Sequence, residues 1–249
     1  GFDASNNLFV DGVRSPGAIS RDVFNLEQVE IAKGPAGADT GRGGSSGYVN
    51  LVTKMPQLTP AYGGSFSYGS ADVKRLTADF NQPVQLGDKG DWLHGSAVRF
   101  NGLWQDGGVP GRNLVENKSW AVAPSFALGL GTPTRVIVRG SYTEQDNLPD
   151  SGLPIAALPG SVPTTPVTGP VDQENYYGIA NQDFEAVTSG SVNLLVEHDL
   201  NDRVTLRNQT VFTTTERDAL LTYFQNGTAT MYNPTNGIVT PRRIHNQTE

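Results

Sequence analysis

From Tyr62 onward the chain alternates between two kinds of residue with a period of two. Leu76, Ala78 and Phe80 point away from Arg75, Thr77, Asp79 and Asn81. Trp120, Val122, Pro124, Phe126, Leu128 and Leu130 share one side, and Ala121, Ala123, Ser125, Ala127 and Gly129 share the other. Val136, Val138 and Tyr142 oppose Arg135, Arg139 and Ser141, and Val204, Leu206 and Phe212 oppose Arg207 and Gln209. Successive side chains of a strand point to opposite faces, so this pattern describes strands with a different solvent on each face. Only 37% of the 249 residues are hydrophobic, so the apolar groups are spread thinly over many strands and do not fill one large soluble core. No run of about 18 apolar residues occurs, which excludes a membrane helix. Barrel strands remain possible, because each needs only roughly 9–11 alternating residues.

The connections follow a rule of their own. Residues 83–91, 130–134 and 198–203 are short links. Residues 105–119 read as a longer link, residues 147–183 as a very long one rich in Pro and Gly, and about 216–242 as another long one. Short turns alternating with long loops are the habit of a transmembrane barrel. The hairpin turning near residues 69–72 is an exception, short where a long loop belongs. Seven full strands are expected, with an eighth beginning at residues 242–249. Ahead of them, residues 1–57 form a small mixed unit of short strands. LFVDGV (8–13) breaks at Asp11-Gly12, a tight-turn pair. EQVEIAK (27–33) is stopped by Gly34-Pro35, GADTGRGGSSG (37–47) must loop, and YVNLVT (48–53) resumes a strand. The expected fold class is all-β: part of a transmembrane antiparallel barrel over residues 58–249, preceded by the small domain over 1–57. Seven or eight strands cannot close around such a domain. Gly1 is not an initiator methionine and Glu249 stops inside a strand-like run, so the chain reads as an internal piece of a longer one.

Several functions are excluded by composition. With 18 Lys and Arg against 25 Asp and Glu, the formal charge is −7, which argues against a nucleic-acid surface. The chain has no cysteine, so it has neither disulfides nor thiolate chemistry. His94, His198 and His245 have no metal-ligand spacing, and no Ser-His-Asp or paired-carboxylate motif suggests an enzyme. GRGGSSG (41–47) lacks the Gly-Lys-Ser/Thr ending of a phosphate loop and has no helix-forming segment after it.

VDGVRSPGAISRDVFNLEQVEIAKGPAGADTGRGGSSGYVNLVTKMP resembles the second half of the plug of TonB-dependent siderophore receptors. VAPSFALGLGT (122–132), PDSGLPIAALPG (149–160) and EHDLNDRVTLRN (197–208) resemble the monomeric catecholate siderophore receptors within that family. The resemblance covers essentially the whole chain. It implies a barrel of roughly 22 strands with a plug in its lumen. It also implies import of a ferric siderophore, with iron carried in the ligand and no cofactor bound directly. The implied partners are the TonB energy-transducing complex, through a segment absent from this chain, and outer-membrane lipid and lipopolysaccharide. The receptor would be a monomer, with long loops outside the cell and short turns in the periplasm.

The same resemblance places Arg14, with Ser15, Ala18 and Ile19, on a plug apex that contacts siderophore. A ferric catecholate is an anion with aromatic rings, and a guanidinium can bond its oxygens and lie on its rings. The plainer reading of Arg14 is a solvated arginine on a turn. Arg21, followed by Asp22, reads as half of a structural ion pair. Glu27, Glu30 and Lys33 are expected to project to the same side of one strand, or nearly so, and the resemblance makes them plug–barrel locks, with Arg42 bracing the plug. Ordinary surface charge is the alternative. In the outer loops Arg112, Lys118, Trp104, Tyr176, Tyr177 and Tyr223 are candidates for capturing an aromatic anion, although aromatics near strand ends also form the interfacial girdle of any barrel. Trp92, Trp120 and Tyr142 read as girdle.

Other readings within this pattern are a receptor for another siderophore or small cargo, a passive porin or structural barrel, and a soluble secreted all-β protein. Extraction behaviour separates the last from the rest. The full-length protein is expected to require detergent and to change gel mobility on heating, and a protein soluble without detergent would exclude the barrel.

Overall fold

Asp11 and Gly12 both take positive φ, 51° and 79°, as the two central residues of a type I′ turn must. The turn folds β1 (Leu8–Val10) back on β2 (Val13–Arg14), pairing Val10 with Val13. β1 also runs parallel to β4 (Gly47–Thr53), which pairs antiparallel with β3 (Leu26–Lys33). The order in this first, mixed sheet is β2-β1-β4-β3. The computed structural model describes residues 7–15, 19–34, 47–88, 91–150, 152 and 172–222, and the backbone of residues 242–248.

The second sheet is a meander of eight strands in which each pairs antiparallel with its sequence neighbour. The strands are β5 (Ala61–Tyr68), β6 (Lys74–Val84), β7 (Ser96–Val109), β8 (Arg112–Leu128), β9 (Thr134–Leu148), β10 (Phe184–Asn201), β11 (Val204–Leu221) and β12 (Arg242–Thr248). Period-two alternation decides which face each side chain takes. Ala97, Arg99, Asn101 and Leu103 on β7 are buried, while Phe100 and Trp104, of the opposite parity, are exposed. On β8 the small Ala121, Ala123 and Ala127 are buried and Trp120 is exposed. Charged and small residues therefore lie inside and large apolar ones outside, the arrangement of a wall with lipid on its outer face. Trp120 and Tyr142 meet on that outer face, ring centroids 5.2 Å apart, and Tyr62 and Phe80 do so at 5.0 Å. The expected eight-strand count agrees with this wall.

The connections differ from expectation in extent. Residues 105–119 are not a long link: β7 runs to Val109, β8 starts at Arg112, and the ladder pairs Gly107 with Asn117 and Gly108 with Glu116. Gly107 and Gly108 suggest a loop, but their role is close approach. A Cβ on Gly107 would lie 2.4 Å from the Val73 Cα, in the neighbouring hairpin turn. β11 likewise continues to Leu221, paired with β10, so the connection after it starts later than about residue 216. At the end of the wall reached by β9, two links are short, residues 69–73 and 110–111, and two are long, 149–183 and 222–241. At the opposite end the links are residues 85–95, 129–133 and 202–203.

Gly107→Val should cost about 1–3 kcal/mol through overpacking against the Val73 backbone. Gly63→Val, where no atom lies within 4 Å, should cost little. Thermal unfolding of the two variants in detergent checks this, and equal stabilities would remove the close approach as the reason for glycine at 107.

Candidate functional site between the first sheet and the strand wall

The inward face of the wall is tied to the first sheet by ion pairs and hydrogen bonds. Asp22, in the turn before β3, takes both ends of the Arg75 guanidinium from β6, each contact 2.7 Å. Asp11 sits against Arg139 of β9 at 3.0 Å, and both side chains are only 8% exposed. The same carboxylate accepts from Thr53 N and Thr53 Oγ1, both at 2.9 Å. Asp11 thus supplies the left-handed turn and also half of a buried ion pair. Lys54, on the link between the sheets, pairs with Asp79 at 2.9 Å, and Asp79 also binds Arg99. Arg99 donates to the Met55 carbonyl at 2.9 Å. Gln145 reaches the Ser20 carbonyl and Gln209 the Asp11 carbonyl. Burial raises the Asp22 pKa, but the hydrogen bonds from Arg75 and from the Phe24 and Val23 amides outweigh it and leave the carboxyl below its usual range.

Beside this seam lies a cleft of about 170 Å³. Arg14, Ser15 and Ile19 line it from the first sheet, and Ser141, Thr143, Ser189 and Asn193 from the wall. Arg14 is exposed at the end of β2, and Arg21 Nη2 donates to Ser15 Oγ at 2.9 Å. The structure thus brings three of the four predicted apex residues to one cleft; Ala18 lies outside the described residues. The expected pairing of Arg21 with Asp22 is replaced by the bidentate Arg75 contact from a residue 53 positions away. Burial lowers the Arg21 pKa.

The predicted locks divide. Glu27 approaches Arg99 of the wall at 3.7 Å. Glu30 accepts from Gln28 at 2.7 Å and from Asn50 at 2.8 Å, so it serves the first sheet itself. Glu30 and Lys33 do not share a side, because residues three apart on a strand point to opposite faces. Lys33 is exposed and makes no ion pair among the described residues. Arg42 lies outside them, as does Tyr223.

At the outer end the predicted capture residues have other partners. Arg112 holds Asp150 through two 2.7 Å bonds and the Gln173 carbonyl at 2.5 Å, so it ties together both ends of the connection between β9 and β10. That hydrogen bonding lowers the Asp150 pKa. Tyr176 is buried and donates to Asp183 Oδ2 at 2.8 Å, while Thr222 donates to Asp183 Oδ1 at 2.7 Å. Burial, then Asp183, pushes the Tyr176 phenol well above its usual range. The Tyr177 hydroxyl donates to the Asp172 carbonyl at 3.0 Å. Lys118 lies with Trp120 on the outer face, paired with Glu116 at 2.7 Å. Trp104 is exposed on that face too. No group of three or more His, Cys, Asp or Glu that could hold a metal occurs among the described residues.

Residues 1–48 match the TonB-dependent receptor plug domain. The chain belongs to the TonB-dependent receptor family. It is 38% identical over 244 residues to the catecholate siderophore receptor Fiu of Escherichia coli O157:H7, covering 96% of this chain and 31% of that protein. The probable TonB-dependent siderophore receptor PiuA of Acinetobacter baumannii is 31% identical over 225 residues, covering 89% of this chain and 29% of that protein. The open-form crystal structure of the ferric-catecholate import receptor Fiu from E. coli K12 superposes with a TM-score of 0.87 at 35% identity, covering 99% of this chain and 38% of that one. The chain therefore spans about a third of the length of the curated relatives it matches. In TonB-dependent receptor terms, the first sheet belongs to the plug and the meander to the barrel wall.

Sequence reasoning missed the wall side of the seam, Arg75, Asp79, Arg99 and Arg139, and the plug side, Asp11, Asp22 and Lys54. A signal was present. Arg75, Asp79 and Arg139 fall on the polar face of alternating strands, where a charge needs a partner. Because the Asp22 pKa is lowered by folding, its stabilisation is complete above the unfolded carboxylate pKa of roughly 4 and fades as pH falls through the folded value. Asp22→Asn or Arg75→Ala should cost roughly 1–3 kcal/mol, between exposed and fully buried pairs. Limited proteolysis of the plug should then show release at neutral pH in Asp22→Asn, and only in acid in the parent. Resistance of Asp22→Asn equal to the parent's at neutral pH would exclude this pair as the lock.

Proposed function

We infer that this chain is the part of an outer-membrane receptor that holds and gates a ferric siderophore, of catecholate type, during TonB-dependent import. The observation that carries the reading is the seam. A folded domain is bound to the inward face of the wall by ion pairs that can be broken and remade. A passive pore has no use for such a domain, whereas a gated importer needs one that seats firmly and can be released. The cargo class rests on the names of the relatives, two of which are catecholate or siderophore receptors.

In this reading residues 1–57 are plug and residues 58–249 barrel. The apex is Arg14 with Ser15, Ala18 and Ile19. The guanidinium of Arg14 meets an anion whose catechol oxygens accept hydrogen bonds and whose rings stack on a planar cation. Arg112 and Tyr176, committed to Asp150 and Asp183, shape the outer connections and do not touch cargo. The apolar outer face lies in the outer membrane, with lipid and lipopolysaccharide around a monomer. The end of the wall at Leu148 and Leu221 faces the exterior, and residues 129–133 and 202–203 face the periplasm. The TonB complex acts on a part of the receptor not in this chain.

In the full-length receptor, Arg14→Ala should weaken ferric-catecholate uptake at limiting ligand by about tenfold, the loss of one charge-assisted contact. Surface expression and heat-modifiable mobility should be unchanged. Uptake affinity equal to the parent's would remove Arg14 from the site.

A further inference from the structure

Arg139 uses only part of its guanidinium on the seam. Nη1 takes Asp11 Oδ1 and Thr53 Oγ1, each at 3.0 Å. Nε and Nη2 are buried and have no hydrogen-bond partner among the described residues. These two N–H groups form the side edge of the guanidinium, the fork that grips two oxygens of one carboxylate or phosphate. A buried donor left unbonded is costly, and more so on a charged group. Directly across the ladder from Arg139 is Asn193 of β10. Its amide oxygen is also buried and unbonded, and both side chains line the cleft at the seam. Turning the amide over would present Nδ2–H to the same space.

Charge and volume narrow the occupant. Arg14, Arg21 and Arg139 line the cleft against Asp11 and Asp22, and both carboxylates are already held, one by Arg139 and Thr53 and the other by Arg75. The donors left open belong to the Arg139 guanidinium, and that edge takes the oxygens of an anion. At about 170 Å³ the cleft is smaller than the roughly 300–1,000 Å³ of ordinary organic-ligand pockets. A whole ferric siderophore does not fit, but a small oxyanion with a few waters does.

We propose that Arg139 and Asn193 form a buried small-oxyanion site between plug and wall, suited to phosphate or a simple carboxylate. The anion takes the side edge of Arg139 while Nη1 keeps Asp11, so one guanidinium holds the plug and the anion together. The site shares its cleft with the apex residues Arg14, Ser15 and Ile19, but it rests on Arg139 and Asn193 and not on siderophore contact at Arg14.

Selenate is the probe, since its anomalous scattering marks its place in crystals of the full-length receptor. In the parent, a selenate peak is expected within hydrogen-bond distance of Arg139 Nε and Nη2. Asn193→Asp puts a carboxylate against that edge at nearly equal volume, and should abolish the peak while the Asp11–Arg139 contact remains. Water alone beside Arg139 in the parent overturns the proposal, and so does a selenate peak retained in Asn193→Asp. Should the aspartate variant not assemble, excess phosphate soaked into parent crystals decides the matter. Displacement of the selenate supports the site, and unchanged occupancy overturns it.

Discussion

A charge on the inward face of a membrane-spanning strand must find a partner, because it can neither turn to lipid nor stay buried alone. Arg75, Arg99 and Arg139 are three such charges, and their partners define the structure. Arg99 is satisfied by Asp79 within the wall and by the Met55 carbonyl of the link. Arg75 and Arg139 are paired with plug carboxylates, Asp22 and Asp11. The placement of the plug follows from this demand. The Asp22–Arg75 contact is a bidentate charge-assisted hydrogen bond and the Asp11–Arg139 contact an ion pair at 3.0 Å, so the plug is held at defined points and not by a broad apolar interface.

That difference has a functional consequence. An apolar interface would be lost only by exposing large area to water. A seam of discrete ion pairs can open pair by pair, with water able to take over each carboxylate and guanidinium as it is released. The partial exposure of Asp22 and Arg75, each 24%, makes this exchange easier than at the more deeply buried Asp11–Arg139 contact. The outer end uses the same chemistry for a different purpose. Arg112 ties Asp150 to Gln173 within the connection between β9 and β10, and the buried Asp183 joins Tyr176 to Thr222, so polar contacts hold the described parts of the long connections.

Much of the architecture was legible because alternation is a local property. The division between Trp120 and Ala121, or between Val138 and Arg139, can be read from neighbours in sequence, and the eight-strand wall follows. The Asp11-Gly12 turn was equally plain. Loop extents were less so, since Gly107 and Gly108 carry the composition of a loop while pairing in a ladder. The error over Glu30 and Lys33 was one of parity, and attention to strand period would have prevented it. Reading Arg112 and Tyr176 as capture residues followed from residue type alone, which does not reveal a partner such as Asp150 or Asp183.

Alone, the sequence determined the strand wall, its inner and outer faces, the plug turn at Asp11-Gly12 and the family, because each depends on residues close together in the chain. Only the tertiary structure decided that Asp11 meets Arg139, that Asp22 meets Arg75, and that one edge of Arg139 is left facing a cleft. Those pairings join positions separated by many strands. A side chain's charge shows that it needs a partner, but only the folded geometry shows which partner lies within reach.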